Sequence, residues 1–105
     1  MRRIRYFVNL ESEEDRIRVD FETDRGFVTA LHVVQYETMI LGKWHPVARY
    51  DTAHGFIHLD LYTLHGPIKY RIFIQNLGEA LTFAIEDLKA NWRLYKRRFI
   101  GGGHS

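Results

Sequence analysis

The chain contains no cysteine, which excludes disulfide staples, thiolate metal sites and thiol nucleophiles. It also lacks any apolar run near the ~20 residues of a membrane span. The basic start MRRIRYFVNL has no apolar stretch of signal-peptide length. The expectation is a cytoplasmic protein with no membrane partner. No Gly-rich phosphate loop and no serine nucleophile elbow occurs, so nucleotide-cradling and serine-hydrolase readings fail at the level of motifs. There are no internal repeats, and low complexity is confined to residues 101–105, GGGHS, expected to be a disordered tail.

Charge of one sign is also scarce overall, since the formal net charge is +2. Its distribution is uneven: Arg2, Arg3 and Arg5 open the chain, Lys89, Arg93, Lys96, Arg97 and Arg98 close it, and Glu11, Glu13, Glu14 and Asp15 lie between strands. Basic ends can contact phosphates or an acidic partner. The plainer reading is a solvated face, because cations in the last turns of a helix already complement its dipole.

What the chain does have is period. With 105 residues and 46% apolar content it can build a single core, and one domain over residues 1–100 is expected. Residues 3–9, 16–22 and 68–74 alternate apolar and polar side chains, and 27–40 is rich in β-branched and aromatic residues, so all read as strands. Asp24-Arg25-Gly26, Leu41-Gly42 and Leu64-His65-Gly66-Pro67 are turns. Leucine is a poor first residue for the second of these. After Ile74 the period changes: Asn76 and Glu79 form a capping-box pattern. Leu77, Leu81, Ala84, Ile85, Leu88, Trp92, Tyr95 and Phe99 follow at helical spacing. The expected fold is α+β: an antiparallel β-meander of about five to six strands with one long C-terminal α-helix, residues 77–98, packed on one face. Trp44 and Trp92 are both expected in the core.

Chemistry is densest in residues 43–62, KWHPVARYDTAHGFIHLDLY, read as a hairpin whose loop is residues 52–55. In that register Arg49 faces His58, and Ile57, Leu59 and Leu61 share the core side with Tyr50, Ala48 and Pro46. Arg49, Asp51, His58 and Asp60 gather on the opposite face. A tight turn at Leu41-Gly42 would pair Tyr36 with Val47, Val34 with Arg49 and His32 with Asp51. His32 would then join the patch, which would also carry Val34, Tyr36, Val47 and Phe56. A face so apolar needs a cover, and a homodimer through it is the expectation.

Several segments of this sequence resemble a family of small uncharacterised prokaryotic proteins built on an Arg-Tyr-Asp-Thr-Ala-His-Gly-Phe core. They are Val34 to Glu37, Gly42-Lys43-Trp44, Pro46 to Phe56, His58-Leu59-Asp60 and Glu79 to Trp92. The likeness covers roughly residues 30–98 and implies a shared fold and site without implying a reaction. A more distant resemblance is to the toxin-like partners of minimal nucleotidyltransferase antitoxins, whose Pro-His-His runs are missing here.

His58-Leu59-Asp60 puts an imidazole and a carboxylate on one strand face, where the carboxylate can orient the ring. The plain alternative is a pair of satisfied polar groups in a half-buried sheet. Zinc would need several N/O ligands converging at about 2.0–2.2 Å, and Arg49 in their midst would repel the cation, so no metal and no cofactor are expected. Asp51, His54, His58 and Asp60 are the candidate catalytic residues, and His32, Arg49 and Tyr50 the candidate binding residues. Together they suit a binding or interaction module with an RNA or protein partner. The competing class is a metal-independent ribonuclease or phosphodiesterase, toxin-like, in which histidines move protons and Arg49 stabilises developing charge.

Overall fold

The computed structural model describes residues 1–53 and 55–101. The alternating segments form six strands, β1 (Arg2–Asn9), β2 (Asp15–Asp24), β3 (Phe27–Ile40), β4 (Lys43–Ala53), β5 (Phe56–Thr63) and β6 (Gly66–Ile72), followed by α1 (Leu77–Ile100). All neighbours pair antiparallel in chain order, giving one six-stranded meander. This is the expected α+β fold. The last strand begins and ends two residues earlier than the alternation suggested, because Gly66, at φ +99°, already belongs to the ladder opposite Thr63. The expected disordered tail, from residue 102 on, lies outside the described residues.

Two hairpin tips share one conformation. Arg25-Gly26 have φ of 52° and 84°, and Leu41-Gly42 have 51° and 80°, the left-handed pair that matches the twist of antiparallel strands. Leucine in this region costs about 1–2 kcal/mol through its Cβ, and Leu41, 98% exposed, recovers nothing by burial. Leu41→Asn is therefore expected to stabilise the protein by about 1 kcal/mol, read as a raised urea midpoint. A lower midpoint would contradict the strain argument.

Helix α1 starts where the capping pattern lies: Asn76 Oδ1 accepts the Glu79 N–H at 2.9 Å. It runs to Ile100, and the Gly101 N–H closes onto the Arg97 carbonyl at 2.8 Å. Its buried stripe, Ala80, Ala84, Leu88 and Trp92, meets Ile17, Val19 and Phe21 of β2, Leu31, Val34 and Tyr36 of β3, Val47, Ala48 and Tyr50 of β4, and Ile57 and Leu59 of β5. Trp92 stands edge-on to Tyr36 with ring centroids 5.7 Å apart. The helix is not apolar enough to cross a membrane.

Two carboxylates tie helix to sheet. Buried Asp15 accepts from Tyr36 Oη at 2.5 Å, Thr38 Oγ1 at 2.9 Å and Lys96 Nζ at 3.1 Å. Burial would raise its pKa, but these donors outweigh it and hold the carboxyl below its usual range. Asp87 on α1 accepts from Tyr50 Oη at 2.6 Å, Tyr95 Oη at 2.8 Å and Asn91 Nδ2 at 2.7 Å. Burial, followed by the neighbouring carboxylates, pushes the phenols of Tyr36, Tyr50 and Tyr95 upward, so they remain donors.

Bulges set the register. Glu37 pairs with Pro46 but Tyr36 with Ala48, leaving Val47 as an extra residue; Pro46 has no N–H for the ladder, which is a reason for the break to fall here. Beyond it, Arg49 stands opposite Gln35 and Tyr50 opposite Val34. The expected pairs Val34–Arg49 and Tyr36–Val47 are thus replaced. Val34, Tyr36 and Val47 turn toward the helix rather than away from it.

Candidate binding face

The residues that alternate with the core positions point away from the helix. One ladder crosses all six strands on that side: Phe7, Arg18, Gln35, Arg49, Asp60 and Lys69 are consecutive cross-strand neighbours. Beside it, Asp51, His58 and Arg71 are neighbours across β4, β5 and β6. The β4–β5 strands extend to Ala53 and start at Phe56, so their connection is two residues rather than four. This moves the pairing by two positions, which preserves faces. Arg49, Asp51, His58 and Asp60 are therefore together as expected, with Asp51 opposite His58 and Arg49 opposite Asp60.

Three carboxylates of this face are sunk and four cations, Arg3, Arg16, Arg18 and Lys69, lie over them. Asp20 and Asp60 are 7% exposed and Glu37 is 5% exposed. Asp20 accepts both Nε and Nη2 of Arg3, at 3.0 and 2.8 Å, and this hydrogen bonding, against the opposing effect of burial, lowers its pKa. Glu37 accepts Arg16 Nε at 2.6 Å and Gln35 Nε2 at 2.8 Å, with Arg18 Nε at 3.7 Å. Asp60 takes Lys69 Nζ at 3.3 Å, and Asp51 takes Arg49 Nε at 3.0 Å. Bonded carboxylates hold the long cationic side chains flat over the sheet. Aromatic rings complete the surface: the Arg16 guanidinium lies 3.8 Å from the Trp44 centroid and 4.1 Å from that of Phe7. Arg71 lies 3.5 Å from the Phe56 centroid.

Other expected site residues go elsewhere. His32 is the unpaired residue of a bulge between the pairs Asp20–Val33 and Phe21–Leu31, and its ring contacts Glu22, not Asp51. Tyr50 is 2% exposed and bonded to Asp87 beneath the helix, so it cannot meet a ligand from the open face. His54 lies outside the described residues. Trp44 is half-buried under Arg16 instead of in the core. With Val34, Tyr36 and Val47 under the helix, Phe56 alone of the four apolar residues expected on that face remains there. No group of three or more metal-ligating side chains occurs among the described residues.

Sequence reasoning overlooked Arg16, Arg18, Gln35, Glu37, Lys69 and Arg71. Their alternation was legible in each strand. Missing was the bulged register that aligns them with Arg49 and Asp60.

Fold and face together define a small sheet-and-helix protein with one open, charged and aromatic sheet surface. The chain belongs to the family described as Domain of unknown function (DUF7718), which it matches over residues 1–104. No curated protein and no solved structure matches it.

Proposed function

We propose that the protein is a binding module whose helix-free sheet face takes a single-stranded nucleic acid, with RNA as the first candidate. The observation that supports this is the layering of that face: carboxylates sunk in the floor, guanidiniums and an ammonium above them, and exposed aromatic rings alongside. Single strands are bound by such a combination, cations tracking the phosphates and π-faces accepting bases without sequence preference. A protein partner would be expected to find a more apolar surface centre.

The test is fluorescence anisotropy with an oligouridylate of about twelve nucleotides, within the usual reach of one domain, across a salt series. Arg18→Gln and Arg49→Gln are each expected to weaken binding and to reduce the slope of log K against log salt by about 0.7. Absence of binding to RNA and to single-stranded DNA would overturn the reading, as would unchanged slopes in both variants.

The row Asp51, His58, Arg71 favours a second reading, the toxin-like phosphodiesterase. Asp51 would orient His58 as proton acceptor and Arg71 would meet the developing phosphate charge. Cleavage of the same oligonucleotide by the wild type, lost in His58→Ala while binding persists, would replace the module with the enzyme.

A further inference from the structure

At the β4–β5 end of the sheet a cleft of about 580 Å³ opens between the hairpin, the end of β6 and the start of α1. Its floor is apolar, formed by Ile57, Ile72, Ile74 and Leu77, with Thr29 and Thr52 at one side. Phe56 and Phe73 also line it and are 44% and 84% exposed. Such a volume is that of a small-molecule site. Large aromatics left open at a cleft are unusual for a surface with no partner.

Among the described residues, Arg71 is the single charged one lining the cleft, and no Asp or Glu lines it. Unlike Arg3, Arg16, Arg49 and Lys69, it has no carboxylate partner among the described residues. Its guanidinium lies instead beside two rings, 3.5 Å from the Phe56 centroid and 5.3 Å from that of Phe73. Contact with the Phe56 ring steadies the exposed guanidinium and leaves its N–H groups open to a ligand. An uncompensated, pre-oriented guanidinium at the mouth of an apolar cleft selects a ligand with an apolar planar body and one anionic group.

We infer that this cleft binds a small planar aromatic anion, its ring against Phe56, Phe73 and the isoleucine floor and its charged group on Arg71. The cleft shares Phe56 and Arg71 with the open face, but Arg18 and Arg49, the residues that test strand binding, do not line it, so the two readings fail independently.

The probe is 1-anilinonaphthalene-8-sulfonate, compared with its uncharged analogue N-phenyl-1-naphthylamine, by fluorescence titration and by methyl NMR of the isoleucines. The wild type should bind the sulfonate at one saturable site with shifts centred on Ile57, Ile72 and Ile74. Arg71→Gln should weaken the sulfonate at least tenfold and leave the analogue unchanged, while Phe73→Ala should weaken both. Arg71 and Phe73 are exposed, so both variants should keep the wild-type circular dichroism, and Arg71→Lys, which keeps charge but loses the stack, should fall between wild type and Gln. Equal sulfonate affinity in wild type and Arg71→Gln would overturn the inference, and so would methyl shifts centred away from the cleft.

Discussion

Trp92→Ala should lower the unfolding free energy by about 3–5 kcal/mol, the range for truncating a large buried aromatic. Trp92 is the largest side chain that the helix puts into the core, and it meets Tyr36 edge-on from the middle strands. Little can collapse into the space left behind. The ring partner of Trp92, Tyr36, is anchored in β3 and tethered through its hydroxyl to Asp15, which holds it back from the gap. Urea denaturation followed by circular dichroism measures the loss. A midpoint within error of the wild type would mean that α1 is not docked through this face. Leu81→Ala, at a partly buried position of the same helix, should cost less.

Asp15→Ala is expected to cost roughly 3 kcal/mol, because it leaves two hydroxyl donors and the Lys96 ammonium facing a hole. Three donors from β3 and α1 converge on this one carboxylate at the start of β2. Its pH signature follows from the direction of its shift. The folded pKa lies below the unfolded value, so the contribution is present above the ordinary carboxylate range, near pH 4, and is lost as pH falls through the folded pKa. The wild type should lose stability steeply on acidification in that window, and Asp15→Ala should do so less steeply. Combining Asp15→Ala with Lys96→Met should cost less than the sum of the two changes, since the second removes the charge that the first strands. Additive losses would show that the two groups do not interact.

The two predictions probe opposite kinds of cohesion across one interface. Trp92 contributes volume and apolar area, whereas Asp15 and Asp87 choose where the helix sits along the sheet by bonding specific hydroxyls. The second kind leaves the opposite face free, since it draws Tyr36 and Tyr50 into the helix interface.

Period and punctuation determined the elements from the sequence alone. Alternation marks the polar and apolar side of each strand without any knowledge of its neighbours, Arg25-Gly26 and Leu41-Gly42 mark the tips, and Asn76 followed by the Leu81, Ala84, Leu88, Trp92 stripe marks the helix and the face it buries. The grouping of Arg49, Asp51, His58 and Asp60 was legible too, because within one hairpin an error of two residues leaves faces unchanged. Only the tertiary structure decided how strands outside that hairpin align with it. A bulge adds one residue, and one residue reverses every side chain beyond it. The bulge at Val47 thus sent Val34 and Tyr36 under the helix, brought Gln35 beside Arg49, and turned an apolar face needing a partner into a charged one. The bulge at His32 likewise gave that histidine to Glu22. Local pattern specifies which side of a strand is apolar, but hydrogen-bond pairing between distant strands specifies which sides meet.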